Sequence, residues 1–386
     1  MKRLILLVLI GLLLFPALFA SAQDDFTPPL IVRLLGSDVL YSVNSDTVEA
    51  LDFCQPEEDV YNGFPIEVSP DGTRFAFLAT TTLPGEQAGM NNGAFNADNL
   101  YLCNTQDETL TQITTQPEGA TAGTTVEDSI YTVYGMPAWS PDGIQIAWAQ
   151  VNMPVGTTQL VVYDLEAGTS DVLYEYAEPS AAFVVPNVYW SAGGLALADV
   201  VYTTPERTGE DQRAILVYRA NGEDVVETTE FAAGQVNGGW VLYEGEYHLF
   251  GQDAEGVGAL YNPASGEFVR YEGVVEYYSL LAPETSLGLV NLPTESVGLF
   301  QWAVRGEGFT TPLGIEGNQY GFTLSPDGQQ VVYVTFASYP DGGQAFLLTD
   351  PTDLTSAQPI DALNELNVGT PVYVHWAPLA QRIVNQ

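Results

Sequence analysis

The chain has 386 residues and a formal charge of −39, with only 15% charged residues against 46% hydrophobic ones that include 21 Tyr, 17 Phe and 6 Trp. That much apolar material builds a packed interior and excludes a disordered chain. A surface so acidic repels phosphate backbones and anionic lipid, so nucleic acid is excluded as a partner, while cations and basic partners are attracted.

Residues 1–22 read as a secretory signal. Lys2 and Arg3 form its basic start, Leu4 to Phe19 its apolar run, broken by Pro16, and Ala20-Ser21-Ala22 its small-residue cleavage site. An uncleaved anchor helix is the alternative, but sixteen apolar residues with a proline fall short of the ~20 a span requires. Cleavage after Ala22 implies a secreted protein, extracellular or in the periplasm or cell envelope, with no membrane insertion afterwards. It also removes Lys2, the single lysine, and leaves eight Arg against 49 Asp and Glu, a formal charge of −41.

Residues 23–29 form a short tether. Ile31–Leu35, Asp38–Val43 and Thr47–Phe53 then read as strands. Cys54 and Cys103 are the whole cysteine supply. In an oxidising compartment such a pair is a candidate for one disulfide, and a separation of 49 puts the two in neighbouring repeats. The bond requires Cα atoms within roughly 7 Å, which spacing alone does not decide.

From residue 64 the chain repeats. Ser69-Pro70-Asp71-Gly72, Ser140-Pro141-Asp142-Gly143 and Ser325-Pro326-Asp327-Gly328 each stand between two apolar runs. Proline presets φ, aspartate bonds back to the turn and glycine takes the positive φ, so each motif predicts a tight hairpin in which Asp71, Gly72, Asp142, Gly143, Asp327 and Gly328 are structural. Worn copies stand at Ser191-Ala192-Gly193-Gly194, Ala282-Pro283-Glu284-Thr285 and Ala377-Pro378-Leu379-Ala380. A unit near Val236–Tyr271 has lost the turn but keeps Gly258–Asn262 and Glu267–Tyr271 as its last two strands. Each unit holds four strands, a to d, and the mean spacing is about 51 residues.

The C-terminal strands Val372–Trp376 and Arg382–Asn385 are an a–b pair without c and d, and the N-terminal strands are a c–d pair without a and b. The two halves complement each other. The expected fold is an all-β, seven-bladed β-propeller in one domain, residues 30–386, closed by pairing N-terminal strands c and d with C-terminal strands a and b. Six or eight blades are the alternatives if a worn unit is miscounted.

The Ser-Pro-Asp-Gly hairpin with an aromatic just before it resembles the repeat of TolB-like β-propellers. It is also similar to the WD-repeat class, with Tyr163-Asp164 where that class often has Trp-Asp. The resemblance implies a propeller fold and no single function, because such repeats serve many roles. TolB carries an extra N-terminal domain, for which residues 23–29 leave no room. Prolyl oligopeptidase propellers are followed by a hydrolase domain, and here the chain ends with the last blade. The sialidase Asp-box has one residue between Asp and Gly, and these motifs have none.

No Gly-x-Ser-x-Gly elbow, phosphate loop or zinc spacing occurs. His248 and His375, the two histidines, both sit in apolar strands and read as packing residues. Asn96-Ala97-Asp98-Asn99 and Asp350-Pro351-Thr352-Asp353 hold oxygen ligands at short spacing and read as turns, with calcium ligation as the alternative. No cofactor is expected apart from that calcium.

The long connections are Thr80–Asp98, Thr115–Gly135, Glu178–Pro186 and Thr203–Gln212. In propeller geometry all four fall on the b–c face of the first three repeats, and long one-sided loops point to recognition. Met90, Asn91, Phe95, Asp98, Phe183 and Val184 are the candidate contacts on that face. The expectation is a secreted, non-enzymatic propeller binding a protein, peptide or glycan there. A calcium-assisted hydrolase using channel carboxylates and a structural cell-envelope component are the alternatives. The sequence sets no oligomeric state.

Overall fold

In a computed structural model of the chain, the repeated turn closes by one recurring set of hydrogen bonds. Gly72 and Gly143 sit at φ +73° and +71°, and their N–H groups donate to the Ser69 and Ser140 carbonyls at 2.8 and 2.9 Å. Each serine is buried. Its Oγ donates to the motif aspartate at 2.6 Å in both copies and accepts the backbone N–H five residues on, from Arg74 at 3.0 Å and Gln145 at 2.9 Å. Ser325 accepts the Gln330 N–H in the same way at 2.9 Å, while Asp327 and Gly328 lie outside the described residues. Burial alone would raise the Asp71 carboxyl, but hydrogen bonds from Ser69 and Thr73 and the Arg74 guanidinium hold it below its usual range.

The structure describes residues 29–35, 39–44, 47–61, 66–85, 94–123, 128–153, 156–177, 185–204, 212–220, 226–228, 235–243, 245–252, 258–271, 276–277, 287–291, 301–306, 308–312, 318–325, 330–336, 343–348, 357–364 and 370–376. The expected signal 1–22 and nearly all of the tether lie outside them. Among the described residues no helix is long and apolar enough to cross a membrane.

Among the described residues, nearly every element is a strand, and the strands fall into seven antiparallel sheets. The first unites Val48–Ala50, Leu40–Val43 and Leu30–Leu35 with the C-terminal strand Thr370–His375. The second is built on Arg74–Pro84, Ala94–Asn104 and Thr109–Gln112, with Val60–Tyr61 and Glu67–Val68 both along its inner edge. The third contains Ala138–Trp139, Gln145–Asn152, Thr157–Asp164 and Thr169–Tyr176, and the fourth Asn187–Ser191, Gly194–Tyr202, Gln212–Arg219 and Val226–Thr228. The fifth includes Gly258–Asn262 and Glu267–Tyr271 as its last two strands. The sixth begins at Glu276–Tyr277, and the seventh spans Asn318–Leu324 to Ala357–Pro359.

Two sequence expectations change at the ends. Leu30–Leu35 pairs with Thr370–His375 in the register Ile31↔His375 and Val32↔Val374. The first sheet therefore takes three strands from the N-terminus and one from the C-terminus, not two and two. Ile31–Leu35, apolar except for Arg33, is long enough to fill the position next to the C-terminal strand itself. Arg382–Asn385 lies outside the described residues. The third strand also stops at Ala50, and Asp52–Cys54 is a turn of 3-10 helix instead of its continuation.

Strand alternation explains the packing. Phe75 and Phe77 face Ile31 and Leu40 of the first sheet, while Ala76 and Leu78 between them face Trp139 and Trp148 of the third. In the third sheet Ala147 and Ala149 turn instead to Leu195 and Leu197 of the fourth. On the far side of the first sheet, Leu30, Val32 and Leu34 pack on Val332 and Val334 of the seventh. The central strands of the first three sheets are thus covered on both faces, so they read as nearly continuous apolar runs. Indoles also stitch the inner strands together. Trp139 Nε1 donates to the Glu67 carbonyl at 2.8 Å, and Trp240 Nε1 to that of Tyr189 at 3.2 Å.

Candidate functional site

The expected loop Thr80–Asp98 is largely a ribbon. Arg74–Pro84 and Ala94–Asn104 are 11-residue strands paired from Arg74↔Asn104 out to Pro84↔Ala94. Thr80-Thr81-Thr82-Leu83 is rich in β-branched side chains that suit a pleated surface, so pairing continues past the blade. Phe95 and Asp98 therefore stand on a strand of the ribbon and not on a loop. Met90, Asn91, Phe183 and Val184 lie outside the described residues, as does Asp350–Asp353. The turn expected at Asn96–Asn99 is strand as well. Asp98 accepts the Thr80 hydroxyl across the ribbon at 2.8 Å, and alternation sends Asn99 to the opposite face. Those two side chains do not converge on one ion.

A roof covers the face of this ribbon that looks toward the first sheet. After Ala50 the chain makes its 3-10 turn, and Cys54 is disulfide-bonded to Cys103 with Cα atoms 5.5 Å apart. Both sulfurs belong to buried residues. The chain then crosses the second sheet and adds Val60–Tyr61 to its edge in the register Val60↔Thr80. Between these anchors Asp59 is buried, 7% exposed. One of its oxygens, Oδ2, accepts Asn99 Nδ2 at 2.9 Å and the Tyr101 hydroxyl at 2.8 Å. Burial, and then the hydrogen bond and charge of Asp59, hold the Tyr101 phenol far above its usual range. Tyr101 is thus a fixed donor.

Under the roof lies a cavity of about 590 Å³. Its walls are Glu57, Glu58 and Asp59 from the roof, Thr81, Leu83, Asn99 and Tyr101 from the ribbon, and Gln112 and Gln116 beyond it, with Phe53 and Leu110 as apolar flanks. The ribbon residues are alternate positions and share one face. Glu57 and Glu58 are exposed. Asn99 is 4% exposed, and its Oδ1 is buried with no hydrogen-bond partner. Among the described residues no three His, Cys, Asp or Glu side chains gather as a metal-ligand set.

Gln116 ties this cavity to the third sheet. Its Nε2 donates to the Asp98 and Thr132 carbonyls at 2.8 and 3.0 Å, and its Oε1 accepts the Thr132 N–H at 2.9 Å. From there Thr132 bonds Asn152, and Asn152 and Gln150 both donate to Gln159 Oε1 at 3.0 and 2.8 Å. The b–c rim of the second and third sheets is therefore a fixed polar ladder. Sequence reasoning missed the roof and the ladder. The usable signal was Gln, Asn and Thr recurring where strands leave the apolar core. A second cavity, about 360 Å³ between Tyr218, Trp240 and Tyr247, opens on the opposite face.

No family model matches the chain, and no curated protein matches it in sequence. Solved structures match it in fold. An oligogalacturonate lyase in complex with manganese superposes with a TM-score of 0.51 at 12% identity, over 81% of this chain and 83% of that one. The β-propeller domain of the trilobed protease from Pyrococcus furiosus gives 0.45 at 13% identity, over 74% and 79%. TolB from Acinetobacter baumannii gives 0.42 at 13% identity, over 96% and 70%. The structural neighbours are β-propellers, and they include enzymes as well as TolB. At such identities the likeness concerns fold alone.

Proposed function

We propose that this chain is an extracytoplasmic, non-enzymatic β-propeller that captures a protein, peptide or glycan on the b–c rim of its second and third sheets. In this reading residues 1–22 are a cleaved secretion signal. Residues 30–386 form a single ring of seven blades, closed where Leu30–Leu35 meets Thr370–His375. The observation that carries the reading is the roofed polar cavity. It is preorganised by a disulfide and by the buried Asp59–Asn99–Tyr101 set, and it stands beside a ribbon that projects beyond its blade. Preorganised polar groups in a concave wall are what ligand recognition requires, because little order remains to be imposed on binding. Its fixed parts also suit holding more than turnover. Tyr101 stays protonated, and Asp59 Oδ2 already accepts two hydrogens.

Residues 23–386 on an array of peptides and glycans provide the test. Thr81→Trp fills the cavity from the ribbon, and Ala264→Trp fills the cavity on the opposite face. Capture lost only in Thr81→Trp supports the rim. Capture unchanged in Thr81→Trp overturns it.

A further inference from the structure

The cavity's own chemistry narrows what it takes. Its lining has three consecutive carboxylates and no Lys, Arg or His. Asp59 meets only neutral donors there, Asn99 and Tyr101. The unpartnered Asn99 Oδ1 is a buried acceptor that calls for a hydrogen from outside the chain. Carboxylates and an orphaned acceptor ask for a ligand that donates hydrogens and carries positive charge. The volume of about 590 Å³ suits a side chain and not a bare ion. Phe53, Leu83 and Leu110 supply apolar wall for methylenes.

Resting on the rim reading above, we propose that the cavity under residues 53–59 is a subsite for a guanidinium or ammonium side chain of a basic peptide. Asn99 Oδ1 and the exposed Glu57 and Glu58 are its acceptors. The formal charge of −41 on residues 23–386 steers such a ligand inward from a distance, and the cavity then sorts it by shape and hydrogen bonding.

The test is calorimetric titration of residues 23–386 with N-acetyl-Gly-Arg-Gly amide, its N-acetylated citrulline twin and agmatine. The arginine peptide binds, and the uncharged citrulline peptide binds roughly tenfold or more weakly. The double substitution Glu57→Gln, Glu58→Gln weakens the arginine peptide several-fold. The equally neutralising pair Glu166→Gln, Asp171→Asn, far along the third sheet, leaves it unchanged. Equal losses in both pairs reduce the effect to bulk charge and overturn the site. No binding of the arginine peptide at millimolar concentration also overturns it, as does a citrulline peptide bound equally well. Agmatine bound as tightly as the peptide assigns a free organic cation and overturns the peptide. A neutral glycan captured at the rim while the arginine peptide is ignored sinks this inference and leaves the rim reading standing.

Discussion

The Tyr101 hydroxyl donates to Asp59 Oδ2 at 2.8 Å, although 42 residues separate them in the chain. This bond fastens the roof to the ribbon beneath it. Tyr101→Phe keeps the ring in place and removes one of two donors from a buried carboxylate. Losing a hydrogen bond to a charged group costs about 1.5–3 kcal/mol. Urea unfolding should show a free energy lower by that amount, read as a lower midpoint with an unchanged m-value. A midpoint within error of the parent would mean that the roof is held by the disulfide and apolar contacts alone.

The disulfide gives the second prediction. Cys54 and Cys103 close a loop of 49 residues, and the chain-entropy model assigns about 4 kcal/mol to a loop of that length. Cys54→Ala with Cys103→Ala should destabilise by up to that amount. Both sulfurs lie in the apolar cluster between the first and second sheets, so the junction beside the terminal strands should loosen first. Hydrogen exchange at Leu30–Leu35 should rise more than at Gln145–Asn152. Equal changes in both strands would show that the bond stabilises only globally.

The turn motif supplies a third. Ser140 is 3% exposed and links Asp142 Oδ1 at 2.6 Å with the Gln145 N–H at 2.9 Å. Ser140→Ala orphans that part-buried N–H and frees the aspartate, at a cost of about 1–3 kcal/mol. Asp142→Ala removes one arm of the same set. The double variant should therefore cost clearly less than the sum of the two singles. Strict additivity in thermal or urea unfolding would show that the two residues act separately.

What was legible in the sequence follows from range. Ser-Pro-Asp-Gly announces its hairpins because every requirement lies within six residues: the positive φ of Gly143, the side chain of Asp142 and the N–H of Gln145. Phe75-Ala76-Phe77-Leu78 announces a strand covered on both faces for the same local reason. Asp59 announces nothing. It stands after Glu57 and Glu58 in a run that looks like solvated linker, and its partners are 40 and 42 residues away. The ribbon was hidden differently. Thr80-Thr81-Thr82 is polar enough to read as loop, although its branched side chains favour extended pairing. Asn96–Asn99 looked like a turn because Asn and Asp favour turns, and pairing with Thr80–Thr82 overrides that local preference.

Glu67 provides the last prediction, a pH dependence. It stands on the inner strand Glu67–Val68, beside the indole of Trp139 that bonds its carbonyl. Burial pushes its carboxyl up from 4.5 to about 7. The folded chain therefore holds a proton that the unfolded chain has already released between pH 4.5 and 7. Stability falls as pH rises through that window and levels off above it. The surface of Glu67 is only partly covered, so the full loss is discounted to roughly 2 kcal/mol at 1.36 kcal/mol per unit. Glu67→Gln keeps the shape without the charge. Its stability relative to the parent should be near zero at pH 4 and rise to that value by pH 8, read as the difference between two urea midpoints at each pH multiplied by their common m-value. Using the difference cancels the common contribution of the other 48 acidic residues. A gap that stays flat across the window would mean that Glu67 ionises freely in the folded chain.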